Sequence, residues 1–175
     1  MKKTLIIAVT LGIMFSLAGM NSAWANDEKN LDKQVSEVNK TGDTADGGKV
    51  VAQKIEKQFS VSADQVKALR DQKLGYGEIS VVYSLASKMD GGITDANVQK
   101  IMTMRQGPPT MGWGKIAKEL GYKLGPVVSS VKNVNAETRR EMHKEKKEGR
   151  ADRQEGQGRM EKHERSGGAE RAHGR

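Results

Sequence analysis

Three histidines are the side chains best equipped for chemistry in this sequence, and their spacing limits what they can do. His143, His163 and His173 stand 20 and 10 positions apart. No pair has the i, i+4 interval that sets two imidazoles on one helical face around a metal ion. All three fall in a charged C-terminal stretch, where a flexible chain could gather them only weakly around Ni, Cu or Zn. Cysteine is absent, which excludes thiolate ligands, disulfides and a lipidated cysteine. Serine and acidic residues form no recognisable nucleophile arrangement, and the glycine-rich turns lack the lysine of a phosphate-binding loop. The expectation is a protein that is not an enzyme and has no preordered metal site and no cofactor.

The most specific pattern is a near-repeat built on an aromatic between two glycines. Leu69-Arg70 followed by Leu74-Gly75-Tyr76-Gly77-Glu78-Ile79-Ser80 matches Met104-Arg105 followed by Met111-Gly112-Trp113-Gly114-Lys115-Ile116-Ala117, with two extra residues in the second loop. Each copy reads as a helix, a tight turn and a second helix. Glycines there fit a positive φ or a close helix approach, and the aromatic can fill the corner of the hairpin. The sharper alternative is that Tyr76 and Trp113 are exposed groups that stack on a ligand. Gly75, Tyr76, Gly77, Gly112, Trp113 and Gly114 are therefore the candidate structural or interaction residues.

The elements that must hold these turns are short helices. Val51, Ile55 and Phe59 recur every four residues, one stripe of an amphipathic helix. Ser62 with Gln65 three residues later is a capping-box pattern ahead of Val66 and Leu69. Ile79, Val82, Tyr83 and Ala86 form the inward face of a third helix, closed by Asp90-Gly91-Gly92. Thr94 caps a fourth, with Val98, Ile101 and Met102, that Pro108-Pro109 cannot continue. A fifth runs from Gly114 to Leu120, and Pro126 opens a segment with Val127, Val128 and Val131. The expected fold class is all-α: a small bundle of short helices built from two similar hairpins, about 62–90 and 94–125, within a domain over 49–131. The polar stretch 26–48, ending in a run of Gly, Asp and Thr, is expected to be a linker with at most one weak turn around Leu31, Val35 and Val38. Residues 132–175 hold 13 basic and 9 acidic side chains, with Met142 and Met160 the last apolar groups larger than alanine. Such a stretch buries too little to offset its ordering entropy and is expected to be a largely disordered tail.

Residues 1–25 read as a cleavable export signal. Lys2 and Lys3 precede an apolar run from Leu5 to Leu17, and Ala23-Trp24-Ala25 is a small-residue cleavage site. The run is shorter than the roughly 18 to 20 residues that span a bilayer. Cleavage after Ala25 leaves about 150 residues with 28 basic and 22 acidic side chains, a formal charge of +6, and no integral membrane segment. The expected location is periplasmic or secreted.

The stretch from Ser62 to Ser80, through Leu74-Gly75-Tyr76-Gly77-Glu78-Ile79, resembles the helix-turn-helix of sigma-factor-type regulators, and Gly112 to Gly121 resembles its second half. That resemblance implies a helical hairpin. A DNA-reading role would need base-reading side chains on the second helix. Glu78, Ser80, Val81 and Ser84 in one copy, and Lys115, Lys118 and Glu119 in the other, are poor in the Arg, Asn and Gln that read base edges. The whole pattern also resembles uncharacterised exported bacterial proteins with G-[YW]-G-x-I helical hairpins, a likeness that implies export but no activity. The function expected is a non-catalytic helical interaction protein of the cell envelope or exterior, directed at a protein partner that the residues do not name. The alternative is nonspecific, weak polyanion binding through the basic tail, to nucleic acid or an anionic envelope polymer.

Overall fold

The computed structural model describes residues 20–169, with side chains from Trp24 to Arg150. The chain runs through seven helices among these residues: α1 (Met20–Gly42), α2 (Gly47–Phe59), α3 (Ala63–Asp71), α4 (Tyr76–Ala86), α5 (Asp95–Gln106), α6 (Trp113–Glu119) and α7 (Gly125–Ala169). The all-α class is as expected. No helix among the described residues is long and apolar enough to cross a membrane.

The centre of the bundle is α4. Its residues from Ile79 to Ala86 are all buried, so it is covered on every side rather than along one stripe. Covering it are α1, α2, α5 and α7. Tyr83 lies 5.9 Å from Phe59 of α2, centroid to centroid. Burial, aided by the charge of Asp95, pushes the Tyr83 phenol up to about 12, because a phenolate here would be stripped of water.

Local signals set the helix ends. Ser62 Oγ accepts from the Gln65 amide at 3.2 Å and Gln65 Oε1 accepts from the Ser62 amide at 2.9 Å, so both bonds of the expected capping box form. Thr94 Oγ1 accepts from the Asn97 amide at 3.2 Å and starts α5. The turn after α4 passes through Gly91 and Gly92 at φ 82 and 71, angles that glycine adopts without a Cβ clash.

Two boundaries differ from the sequence expectation. The supposed linker 26–48 contains most of α1, whose Leu31 and Val38 are 0% and 1% exposed. With Val35 half-buried beside them, these residues follow the i, i+4, i+7 rule on one helical face. The supposed tail begins inside α7, where Val127, Val131, Val134 and Thr138 are buried along the same side. Thr138 satisfies its hydroxyl by donating to the Val134 carbonyl at 2.8 Å, so a polar side chain extends the packed stripe past the last apolar one. Helical backbone continues to Ala169.

The contacts of α7 fix its direction between two neighbours. Gly125 lies near Asp27, and the Asn135 amide donates to Glu37 Oε2 at 2.6 Å and Gln34 Oε1 at 3.3 Å, so α7 runs parallel to α1. Lys54 pairs with Glu141 at 2.8 Å, and Gln58 donates to the Ser130 carbonyl at 2.9 Å, so α7 runs antiparallel to α2.

Candidate functional site

The two glycine–aromatic turns share their local geometry. Gly75 and Gly112 cap α4 and α6 with φ/ψ of −69/156 and −66/155. Arg70 Nη1 donates to the Leu74 carbonyl at 2.8 Å, and Arg105 Nη1 donates to the Met111 carbonyl at 3.0 Å. Each guanidinium then lies over the aromatic that follows, Arg70 at 4.3 Å from the Tyr76 ring centre and Arg105 at 4.6 Å from that of Trp113. This is a cation–π contact at partly desolvated sites. In both turns an arginine on the incoming helix ties down the loop by its carbonyl and clamps the aromatic.

One side chain joins the turns. Glu78 Oε2 accepts from the Gly75 amide at 3.0 Å, and Glu78 Oε1 faces Arg105 Nη2 at 3.4 Å. Its carboxylate thus caps α4 and balances the arginine of the other turn.

The glycines are explained by close approach, since none of the four has a positive φ. The closest neighbour is α1. A methyl built on Gly77 would lie 2.4 Å from the Val35 carbonyl oxygen and 2.7 Å from its Cα, and one on Gly75 would strike the Asn39 amide group at 2.3 Å. Asn39 Oδ1 instead accepts from the Gly77 amide at 2.8 Å. The same helix reaches the second turn through Glu28, whose carboxylate lies 3.1 Å from Cβ positions built on Gly112 and Gly114. The corresponding glycines are therefore unequal. Gly77→Ala pushes on backbone and is expected to cost about 1–3 kcal/mol. Gly114→Ala meets only the far end of a flexible side chain and should stay within about 1 kcal/mol of the parent. Urea melts of the two variants compare them directly, and a larger loss at Gly114 would refute this account of α1 docking.

Trp113 is 4% exposed and part of the core, while Tyr76 is half-buried against the α1–α2 connection. An arginine lies over one face of each ring, and the Trp113 ring is otherwise buried. The six candidate residues are brought together as two packed corners, both bordering α1. His143 lies exposed on α7; His163 is on the same helix 20 residues later, about 30 Å along its axis, so the two cannot share an ion within this helix. His173 lies outside the described residues.

A more open feature lies elsewhere. Between the C-terminal end of α1 and α7 runs a groove of about 580 Å³, with Glu37, Lys40, Thr41, Arg139, Met142 and Lys146 in its walls. It is not legible in the sequence, because half its wall comes from 26–48, a stretch whose polar composition reads as a linker. The usable signal was the i, i+4, i+7, i+11 spacing of Arg139, His143, Lys146 and Arg150. Compared with protein-family models, with curated proteins and with solved structures, the chain has no significant match in any of the three.

Proposed function

We propose that this chain is an exported, non-catalytic interaction protein of the bacterial cell envelope or exterior, and that α7 is the element it presents to a partner. The observation that carries this reading is the division of α7 into a packed root and, from His143 to Arg150, an exposed arm. Val127, Val131 and Val134 at the root are fully buried. Every side chain from His143 to Arg150 is exposed, and the helical backbone runs on to Ala169, about 40 Å past Met142. An arm fixed at its root offers a long surface without the entropy of ordering a loose chain on binding.

Support for export comes from Lys2, Lys3, the apolar run and Ala23-Trp24-Ala25. Among the described side chains, cleavage after Ala25 removes the half-buried Trp24, and it starts α1 at Asn26. Asp27 and Glu28 then stand in the first turn, where carboxylates favour the positive end of the helix. The shared arginine, carbonyl and aromatic geometry of the two turns supports reading 62–90 and 94–125 as copies of one hairpin, as does the resemblance to exported proteins with G-[YW]-G-x-I hairpins. A second reading, polyanion binding, is favoured by the way charge is sorted along α7.

Photo-crosslinking in cells tests the first reading. Crosslinking residues at Lys144 and Lys147 are expected to give a discrete adduct in the extracytoplasmic fraction, on a chain whose mass begins at Asn26, while positions Lys67 and Lys88 give none. Adducts from all four positions alike, or a chain retaining Met1, would refute it.

A further inference from the structure

The charges of α7 are sorted by side. At 3.6 residues per turn, Arg139, His143, Lys146 and Arg150 form one straight stripe, while Glu137, Glu141, Glu145 and Glu148 form another about half a turn away. Arg140, Lys144 and Lys147 lie between them on the outward side, with Arg140 paired to Glu137. The two stripes meet different neighbours. On the acidic side is α2, and its Lys54 bonds Glu141 and holds that carboxyl below its ordinary range, with further help from Lys144 and Lys57. On the basic side is α1, which brings another cation, Lys40, to the groove. Its acid at that point, Glu37, already accepts from the Asn135 amide. A second hollow of about 540 Å³ continues along the arm past Lys146 to Arg150, with Asp46 and Glu145 also in its walls. Lys40, Arg139, Lys146 and Arg150 have no ion-pair partner among the described residues.

We infer that this basic edge, with Lys40 at its foot, is a binding track for a flexible single-chain phosphate polymer. The inference rests on the polyanion reading of α7 and assigns it a location. From Arg139 to Arg150 the stripe is about 16 Å long, with its members roughly 4.5–6 Å apart along the axis. A single phosphate can bridge two of them at most; a chain of phosphates reaches all. At its foot the track borders the groove between α1 and α7, and from His143 to Arg150 its side chains stand exposed, so a thin flexible chain can follow it from the groove onto the arm. Met142 stands in the same wall as Lys40 and Lys146 and adds an apolar contact beside the charges. His143 adds a hydrogen-bond donor. Binding of this kind releases counterions, so with three or four phosphates neutralised the logarithm of affinity should fall with the logarithm of salt at a slope of about −2 to −3.

The test uses the full mature chain and fluorescently labelled long-chain inorganic polyphosphate, read by anisotropy. Two double variants carry the same change in net charge: Arg139→Glu with Lys146→Glu on the stripe, and Lys88→Glu with Lys118→Glu on the exposed body. The stripe variant is expected to lose at least about ten-fold in affinity and to flatten the salt slope by about 1. The body variant should lose less than about three-fold. Helical circular dichroism and melting should be unchanged in both, and orthophosphate at equal phosphate concentration should not compete. Equal losses in the two variants would mean attraction by net charge alone and would overturn the track. Absence of polyphosphate binding at low salt overturns it too, while leaving the crosslinking result for α7 untouched. Binding to anionic lipid vesicles but not to polyphosphate would assign the edge to a membrane surface instead. A wild-type dimer that the stripe variant abolishes, without polyphosphate binding, would assign it to the acidic edge of a second copy.

Discussion

Replacing Trp113 with Ala is expected to lower the stability of the bundle by about 3–5 kcal/mol, the range for deleting a large buried aromatic. The indole is 4% exposed in a corner closed by Ile116 and Ala117 of its own helix, both fully buried. Removal leaves a void beneath Arg105, whose guanidinium lies 4.6 Å from the ring centre. Arg105 would keep its bond to the Met111 carbonyl and its contact with Glu78, so the loss falls on packing and the cation–π contact rather than on an orphaned charge. Small domains have about 5–15 kcal/mol in total. A drop of this size therefore leaves the variant partly unfolded at moderate temperature. Tyr76→Ala should cost less, because that ring is half-buried. Starting the chain at Asn26 leaves Trp113 as its sole tryptophan, so its emission reports directly: blue-shifted and poorly quenched by iodide in the parent. A red-shifted, quenchable emission together with an unaltered denaturation midpoint for Trp113→Ala would return the aromatic to the surface.

What the sequence makes legible is the part of the fold governed by local rules. Ser62 and Gln65, Thr94, and the prolines after α5 each act within a few residues, and the helix ends they imply are where the chain places them. The aromatic corners are legible for the same reason, since glycine, aromatic and arginine lie within one hairpin. Contacts that depend on distant partners are not. Helix α1 buries few apolar side chains, and at Gly77 it is matched by bare backbone, which leaves no apolar signature in either segment. In α4 a four-residue stripe was visible, but Val81, Ser84 and Leu85 are buried as well because α1 and α7 cover the remaining sides. The core extends past the expected end at residue 131 because Asn135 and Thr138, polar types usual at the surface, are packed inside. They are buried at 4% and 1%, and the Asn135 amide and the Thr138 hydroxyl find acceptors on Glu37 and the Val134 carbonyl.

The segment that looked least like structure is expected to matter most to stability. A chain beginning at Gly47 lacks α1, and with it Leu31 and Val38, each worth about 1.5–3 kcal/mol of burial. The loss extends beyond those side chains. It uncovers one flank of α4 and of α7, frees the Gly77 amide from Asn39, and takes Glu37 and Gln34 away from the buried Asn135 amide. An unsatisfied buried donor costs a further 1–3 kcal/mol or so. Together these losses match or exceed what a domain of this size has in reserve. The shortened chain should therefore show reduced helical ellipticity and no cooperative thermal transition. A chain ending at Arg150 provides the contrast. It retains α1 and every residue of α7 that is buried among those with described side chains, and its side chains from His143 to Arg150 are exposed, so its stability should lie within about 0.5 kcal/mol of the full chain. Ending instead at Val134 removes Asn135, Thr138 and the Glu141 partner of Lys54, and should fall between the two. A chain from Gly47 that melts as cooperatively as the parent would show that α1 only rests on a bundle complete without it. Stability would then be set by α2 to α7 alone.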